Sequence, residues 1–592
     1  MSINERVNKL RELMKSKEIT VYIVPTSDPH QSEYLASHYK GRTWISGFTG
    51  SAGTVVITQT QANLWTDGRY FIQAENQLKG SEYKLFKMGV PGVPTYIQWL
   101  KDNIKSGDTI GYDGKVFSQT TAERLEKEFD GLGVGFNDKF DLVGEIWEDR
   151  PKLTNEQAFY HELKYTGISA SEKIENVREN IKAKNADYFL IGSLDDIAWL
   201  YNIRGKDVKS NPVIISYALI SMGKAYFFVD KDKISDEVKS FLNDNGVSVL
   251  LYEDVIDFVR NLESDSTVIL EKDKINRWIY NAIPKECKII DELNYTTILK
   301  GKKNETEIEN QRNAYIKDGV ALTKFFHWLD SNIGKIEINE LSAADKLLEF
   351  RKEQDLFIEP SFETISAYGP NAAMAHYSAT EDSYSVLEEK GFYLVDSGGQ
   401  YLDGTTDITR TVAVGNLTDE EKKDFTLTLK GHINLISAKF LEGTNGYQLD
   451  VLCRVPLWKE GLDFKHGTGH GVGYLLNVHE GPHRIASAPN DVVLEKGMVV
   501  SIEPGIYKAG KHGIRIENIV VATDDIETES GKFMKFEVLS YVPIDLEAID
   551  PELLSCDEKQ WLNSYHKDVY DKLSPYLNEE EKAWLQHNTR TI

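Results

Sequence analysis

Residues 477–484 read NVHEGPHR and contain the pattern H-E-x-x-H, from His479 to His483. On a helix this spacing places both imidazoles on one face, where they can bind one zinc ion. Here the two intervening residues are Gly481 and Pro482, which cost a helix interior about 1 and about 3 kcal/mol. The sequence therefore argues against a helical zinc protease, although these residues can still serve a different site.

Four carboxylates occur in or beside apolar strands of the C-terminal half. GFYLVDSGGQ contains Asp396, and DGTTDITRTVAV contains Asp407, eleven positions later (407 − 396). VVSIEPGIY contains Glu503, and GIRIENIVVA contains Glu517, fourteen positions later (517 − 503). Any one of them alone can be a salt-bridge partner or a solvated strand end. All four together are harder to explain in this way, because an unpaired buried charge costs several kcal/mol.

The last of these strands has a charged face. Arg515 and Glu517 alternate with Ile514 and Ile516. Since successive residues of a strand point to opposite sides, the alternation predicts that the charged pair shares one face of one strand.

If the four carboxylates converge, their charges repel one another strongly at short range. Two divalent cations would cancel that charge. An oxygen-rich set with a single imidazole suits Mn²⁺, Co²⁺, Fe²⁺ or Zn²⁺, and Mn²⁺ fits the hard oxygen ligands best. Two ions about 3.5–4 Å apart can share a hydroxide and polarise a carbonyl. The pattern therefore predicts hydrolytic chemistry.

The stretch KHGTGHGVG supplies the imidazole. His466 and His470 are four positions apart, but the surrounding glycines disfavour a helix, so only one of them needs to face a metal. The glycines also invite comparison with a nucleotide-binding loop. The stretch lacks GxxxxGK[ST], and G-x-G-x-x-G fails at Val472, which argues against a nucleotide.

Composition excludes several classes of function. The net charge of −25 argues against a nucleic-acid partner that needs a basic surface. No apolar run of 18 residues occurs, so no membrane span is predicted. The charged start, MSINERVNKLRELMKSKEIT, does not look like a signal peptide. The three cysteines are far apart in sequence and fit a reducing compartment, so we expect a cytoplasmic protein.

The N-terminal half reads as two copies of one α/β design. Trp44 precedes Gly50 by six positions, and Trp199 precedes Gly205 by six. Each copy predicts a strand, a short helix, a turn that contains the tryptophan, two strands and a helix. We expect domains at residues 1–156, 157–302 and 303–592, the last of which begins with a long amphipathic helix and ends in a helical tail. The overall class is α/β (α+β).

The order of these motifs resembles the metallopeptidase family that contains methionine aminopeptidase, prolidase and aminopeptidase P. Members of this family have the pita-bread fold, which is also seen in creatinase, and bind two metal ions. The resemblance implies the following metal ligands: Asp396, Asp407, His470, Glu503 and Glu517. All five are present.

The same resemblance implies further site residues. His376 in MAHYS and His479 in NVHEGP match histidines that contact the substrate, and Glu503 would also shuttle a proton. Tyr507 and Arg515 resemble residues that line the pocket beyond the cut. Arg69 in TDGRYF matches a substrate-binding arginine. The resemblance implies no role for His466 or His483, which we expect to form hydrogen bonds in loops.

Almost the whole chain takes part in the resemblance. The phrases HQSEYLA, SGFTGSAG, WTDGRYF and WLNSYH are similar to the long, three-domain cytosolic form of aminopeptidase P, in which two creatinase-like α/β domains precede the pita-bread domain. This implies an Xaa-Pro aminopeptidase, most simply with two Mn²⁺ ions bridged by the attacking hydroxide, acting on peptides with proline at position 2. It also implies a homodimer. Prolidase, which cleaves only Xaa-Pro dipeptides, and a non-catalytic pita-bread scaffold are the alternatives.

Overall fold

The computed structural model describes residues 1 to 592. Helices and strands alternate along the chain. The helices are α1 (Ile3–Ser16), α2 (Gly41–Ser46), α3 (Phe71–Gln77), α4 (Tyr96–Asn103), α5 (Gln119–Glu128), α6 (Leu142–Ile146), α7 (Leu163–Thr166), α8 (Ala170–Ala183), α9 (Leu194–Leu200), α10 (Asp236–Asp244), α11 (Asp254–Arg260), α12 (Arg277–Tyr280), α13 (Tyr295–Gly301), α14 (Glu305–Asn332), α15 (Glu340–Lys352), α16 (Asp419–Ile436), α17 (Gly446–Trp458), α18 (Cys556–Leu573) and α19 (Glu579–Asn588).

The strands are short and follow one another closely in the C-terminal half. They are β1 (Val21–Pro25), β2 (Thr54–Thr58), β3 (Ala62–Thr66), β4 (Tyr83–Lys87), β5 (Thr109–Gly111), β6 (Gly135–Asn137), β7 (Phe159–Tyr160), β8 (Tyr188–Ile191), β9 (Ile203–Arg204), β10 (Ser216–Ser221), β11 (Ala225–Val229), β12 (Val247–Leu251), β13 (Thr267–Leu270), β14 (Lys288–Asp291), β15 (Phe357–Pro360), β16 (Ile365–Tyr368), β17 (Phe392–Ser397), β18 (Gly399–Tyr401), β19 (Gly404–Thr405), β20 (Ile408–Ala413), β21 (Lys439–Leu441), β22 (Gly469–Gly471), β23 (Glu480–Ile485), β24 (Val499–Ile502), β25 (Gly505–Lys508), β26 (His512–Arg515), β27 (Asn518–Thr528) and β28 (Gly531–Val538).

The chain forms two compact units. The first comprises Met1–Glu162 and Ile168–Thr296, and the second comprises Leu163–Gly167 and Thr297–Ile592. The α/β class expected from the sequence is confirmed. None of the helices combines the length and the apolar character needed to cross a bilayer.

The first unit contains two six-stranded sheets of the same design. Their strand orders are β4-β3-β2-β1-β5-β6 and β12-β11-β10-β8-β13-β14. In both sheets the central strand pairs antiparallel on one side and parallel on the other, and both outermost pairs are parallel. The matching order and directions agree with the repeat read in the sequence. The boundaries of the three domains stay a prediction.

The tryptophans of the two copies were predicted to lie in turns, but both lie in helices. Trp44 lies inside α2 and Trp199 inside α9, not in turns. The turn follows each helix instead. Gly47 ends α2 with φ +74°, and Asn202 follows α9 with φ +51°. Both are residues that accept a left-handed backbone, so the helix continues through the tryptophan and stops after it.

The second unit is built around two sheets that carry the candidate ligands. One has the strand order β16-β17-β20, and the other has the order β21-β28-β27-β24-β22-β23. The long helix α14 begins at a capping box, in which Asn304 and Glu307 bond each other's backbone N–H groups. The helices α14, α16, α18 and α19 contribute apolar side chains to one large core with strand residues. This core fixes the sheets without using any of the candidate ligands.

The strand that the sequence predicts across Arg515 and Glu517 is interrupted. β26 ends at Arg515 and pairs with β25, whereas β27 begins at Asn518 and pairs with β24. Between them the Ile516 N–H donates to Pro504 and the Glu517 N–H donates to Thr409. The chain changes partners at these two residues, and for this reason one continuous strand was the wrong expectation.

Candidate metal centre

Asp396 and Asp407 come from neighbouring strands of one sheet. Asp396 lies near the end of β17, and Asp407 immediately precedes β20. The antiparallel register pairs Asp396 with Thr409, two residues beyond Asp407. Both carboxylates are buried, with 8% and 4% of their surface exposed.

His470, Glu503 and Glu517 come from the other sheet. His470 is the middle residue of β22, Glu503 follows β24, and Glu517 precedes β27. β24 lies between the other two strands, and its last residue, Ile502, pairs with Asn518. Glu503 and Glu517 therefore leave the sheet at the same end.

The two groups of ligands meet. The His470 Nε2 atom lies 3.4 Å from Asp407 Oδ2 and 3.8 Å from Glu503 Oε1. One potential ligand atom each from Asp407, His470 and Glu517 lies within 4.8 Å of the others. The Glu517 N–H donates to the Thr409 carbonyl at 3.2 Å and so ties the two sheets together at this point.

The carboxyl groups are electrostatically crowded. Burial, and then repulsion by Asp396, raise the pKa of Asp407 well above its ordinary value. Burial followed by repulsion from Glu517 raises the pKa of Glu503, and burial followed by repulsion from Asp407 raises the pKa of Glu517. Such a group of acids holds its negative charge only when cations neutralise it.

Asp396 has one carboxylate oxygen that no protein group satisfies. Its Oδ2 atom accepts from Arg515 Nη2 at 2.5 Å, but its Oδ1 atom is buried and has no hydrogen-bond partner. Buried polar oxygens are normally satisfied. The unsatisfied oxygen, the set of oxygen donors and the single imidazole together match a site for divalent cations.

Arg515 connects the carboxylates to two half-buried polar groups, Tyr507 and His466. Its Nη1 atom donates to the Tyr507 hydroxyl at 2.8 Å, and that hydroxyl lies 2.8 Å from His466 Nε2. Burial raises the pKa of Tyr507 to about 12, so the phenol keeps its proton. His466, which had no role in the sequence reading, is therefore linked through Tyr507 and Arg515 to Asp396.

The H-E-x-x-H residues have three separate surroundings. The His479 ring lies 4.4 Å from the His470 ring, centroid to centroid, in an edge-to-face arrangement. Glu480 is buried and forms ion pairs with Lys300, at 2.8 Å, and with Lys303. The His483 Nε2 atom bonds the Val499 carbonyl at 2.8 Å, and burial lowers the pKa of His483 to about 4. Strand β23 begins at Glu480, directly after His479, so the motif does not lie on a helix.

His376 precedes all five candidate ligands in the sequence. His376 follows Ala375, whose carbonyl accepts from Arg515 Nη1 at 3.4 Å. This contact brings the His376 backbone to the arginine that holds Asp396.

Arg69 belongs to the first unit and pairs with Asp67 at 2.8 Å. Its contact with substrate stays a prediction.

Thr409 is a site residue that the sequence did not reveal. Its hydroxyl donates to Glu517 Oε2 at 2.8 Å and accepts from Arg515 Nε at 3.1 Å. One feature of the sequence could have pointed to Thr409. It follows Asp407 by two positions, and residues two apart on a strand point to the same face. The sequence does not show that Glu517 and Arg515 contact this face, because they come from a distant part of the chain.

Comparisons with known proteins cover the chain from end to end. Residues 309–524 match the profile of metallopeptidase family M24, and residues 532–592 match the C-terminal region of that peptidase. Residues 6–141 and 149–307 each match a creatinase/prolidase N-terminal domain.

Individual relatives align over at least 93% of their own length. A probable Xaa-Pro aminopeptidase P of Laccaria bicolor is 42% identical over 99% of this chain and 93% of its own length. A peptidase of Schizosaccharomyces pombe is 42% identical over 99% of each chain. A crystal structure of an X-prolyl aminopeptidase from Caenorhabditis elegans, described as a cytosolic enzyme with a di-nuclear active site, matches with 37% identity and a TM-score of 0.96 over 100% of both chains.

Proposed function

Because the chain belongs to metallopeptidase family M24, we propose that it is an Xaa-Pro aminopeptidase, which releases the first residue of peptides whose second residue is proline. The observation that carries this proposal is the approach of ligand atoms from Asp407, His470 and Glu517 to within 4.8 Å of one another, in a group of acids with raised pKa values. The full-length similarity to enzymes of this name supports the substrate class.

Two divalent ions are the proposed cofactors. Their ligands would be the five residues already described: Asp396, Asp407, His470, Glu503 and Glu517. When bound, the ions would neutralise the carboxylates, polarise the scissile carbonyl and make water nucleophilic at neutral pH. Mn²⁺ is the proposed ion, because four hard carboxylates and one imidazole form the ligand set.

The side chains around the ligands have distinct proposed tasks. Glu503 accepts a proton from the attacking water and returns it to the proline nitrogen, a role that its raised pKa suits. His376 and His479 contact the substrate, and His376 also stabilises negative charge on the reacting carbonyl oxygen. The free amino group of the substrate lies close to Asp396, so that only the first residue is released.

Proline at the second position suits this site for a chemical reason. The nitrogen of an Xaa-Pro bond has no hydrogen, so the site needs no acceptor for it. Arg515 is buried and donates a hydrogen bond to the half-buried Tyr507, and the two side chains form the proposed wall for the residue after the cut. Arg69 is proposed to contact the substrate as well.

The substrate assignment is tested with a peptide pair. We expect turnover of an Xaa-Pro-Xaa tripeptide by protein that has been stripped with a chelator and reloaded with Mn²⁺, and none before reloading. An Xaa-Ala-Xaa peptide serves as the control and should be cleaved at least about 100-fold more slowly. Hydrolysis of an Xaa-Pro dipeptide without hydrolysis of the tripeptide would instead identify a prolidase. Bound metal without any turnover would favour a scaffold.

A homodimer is also proposed, and α17 offers a surface for it. Three large side chains on this helix are about half exposed: Tyr447 (47%), Val451 (40%) and Trp458 (51%). Exposed apolar groups of this size commonly mark protein interfaces. We expect sedimentation velocity to show a dimer for the wild type and a monomer for Trp458→Glu. Tyr576→Glu changes an even more exposed side chain elsewhere (63%) and should remain dimeric. A dimeric Trp458→Glu would exclude this helix as the interface.

The cellular setting and the domain arrangement complete the proposal. We place the protein in the cytoplasm, which agrees with three cysteines that form no disulfide. We propose creatinase-like domains at residues 1–156 and 157–302, and a catalytic domain at residues 303–592.

A further inference from the structure

Glu340 is a completely buried acid that the reaction does not use. It is the first residue of α15 and has no exposed surface. A buried carboxylate is normally paired with a cation or bound by several donors. The partners of Glu340 are all neutral, and all of them belong to one stretch of chain.

The donors to Glu340 surround its two oxygens. Oε1 accepts from the Tyr368 N–H at 2.7 Å, and Oε2 accepts from the Ser385 N–H at 2.7 Å and the Tyr377 hydroxyl at 2.8 Å. The Asn371 side-chain amide donates to both oxygens, at 3.0 and 3.2 Å. Hydrogen bonds to an ionised group are stronger than those between neutral groups.

These donors lie at the end of β16 and in the segment that follows it. We call residues 369–385 the anchored segment; it begins with a 3-10 turn, Gly369–Ala373. Within it the Asn371 amide also donates to the Tyr377 hydroxyl at 3.1 Å and to the Ser385 hydroxyl at 2.9 Å. Glu340 is thus the centre of a network that ties one end of the anchored segment to the other.

His376 lies between two fixed points of the anchored segment. On one side, the Ala375 carbonyl accepts from Arg515, which also holds Asp396. On the other side, Tyr377 donates to Glu340. Burial, and then the hydrogen bond to Glu340, raise the pKa of Tyr377, so the phenol keeps the proton that it donates.

The anchored segment also has a close backbone neighbour. A Cβ atom at Gly513 would lie only 1.7 Å from the Ala372 carbonyl oxygen. The β25–β26 hairpin, which carries Tyr507 and Arg515, therefore packs directly against the segment. Movement of the segment would change its position relative to the candidate metal centre.

We propose that Glu340 and Tyr377 are positioning residues that hold His376 in place for the reacting carbonyl oxygen. This inference rests on the proposed function, because it gives His376 a task in peptide hydrolysis. Neither residue is a proposed metal ligand. The effect on rate arises because a small displacement of a stabilising group reduces its interaction with the transition state.

The kinetic test is a double-mutant cycle in the Mn²⁺-loaded full-length protein. We expect Tyr377→Phe to lower kcat about tenfold with KM within about twofold. In the His376→Ala background the same change should alter kcat by less than about twofold, because Tyr377 acts through His376. Tyr541→Phe is the matched control, since it removes one buried phenol hydrogen bond, to Val538, and should change neither constant. An equal loss in both backgrounds, or no loss in the wild-type background, would overturn the proposal.

A second measurement does not depend on turnover. We expect Glu340→Gln, and to a smaller extent Tyr377→Phe, to accelerate hydrogen exchange in residues 369–385, with residues 518–528 unchanged as an internal reference. Unchanged exchange in the anchored segment in both variants would refute the anchor. A wild-type protein that cleaves no Xaa-Pro peptide would refute the proposed function instead, so the two failures are distinct.

Discussion

Replacing Glu503 with alanine should lower kcat for an Xaa-Pro-Xaa peptide by about 1,000-fold, within the range of about 100- to 10,000-fold that one general acid–base group contributes. The fold should persist, because burial and repulsion by Glu517 raise the pKa of Glu503. Its removal therefore relieves an unfavourable charge and breaks no ion pair with a lysine or arginine. Far-ultraviolet circular dichroism and the melting temperature measure the fold, and steady-state kinetics measure the rate.

The control for this experiment is a nearby glutamate with an ordinary surface role. Glu495 pairs with Lys302 at 2.6 Å, and 44% of its side chain is exposed. Glu495→Ala should retain the wild-type kcat, since exposed ion pairs contribute little. Activity of Glu503→Ala within threefold of the wild type would show that another group transfers the proton. Elemental analysis of Glu503→Ala separates loss of a bound ion from loss of the proton shuttle.

The Asp407→Asn variant should show opposite changes in stability with and without metal. Burial and repulsion by Asp396 raise the pKa of Asp407, so a neutral side chain should stabilise the chelated protein by about 1 kcal/mol, or roughly 1–2 °C for a unit of this size. With Mn²⁺ the wild type should become more stable than Asp407→Asn. An ion at 1,000 times its Kd stabilises the protein that binds it by about 4 kcal/mol, and the variant lacks one of the proposed ligands. Differential scanning calorimetry with chelator and with Mn²⁺ makes the comparison, and activity should be lost.

Asp403 provides the matched control, four residues earlier in the chain. It is equally buried, but it pairs with Lys317 at 2.6 Å. Asp403→Asn leaves that lysine without its partner and should lower the melting temperature in both conditions. If Asp407→Asn behaves like Asp403→Asn, repulsion among the candidate ligands is not what limits the stability of the chelated protein.

The large features of the fold could be predicted from the sequence because they depend on local patterns. The expected fold class, two creatinase-type domains followed by a pita-bread metallopeptidase domain, is confirmed by the family comparisons and the structural match. The tryptophans were placed wrongly by a few residues, since the position at which a helix stops depends on the left-handed backbone of Gly47 and Asn202.

The candidate site could be predicted only in part. The acids were visible because charged residues in apolar strands are rare, and their roles as ligands stay a prediction. The break between Arg515 and Glu517 was not visible, since it depends on Pro504 and Thr409 accepting from the chain at that point.

The role of Glu340 could not be predicted from the sequence either. In the sequence it is an ordinary acid at the start of a helix, a position that acids favour. Its burial and its donors depend on how the segment after β16 folds back over α15. Contacts between residues distant in sequence, here Glu340 with Ser385, leave no local pattern.

The candidate ligands come from two sheets, and Asp396 and Glu517 are 121 positions apart (517 − 396). A nascent chain can therefore bring all five candidate ligands together only after Glu517 has been synthesised. The apolar core of the second unit contains none of the candidate ligands, so we expect the protein to stay folded when a chelator removes its ions.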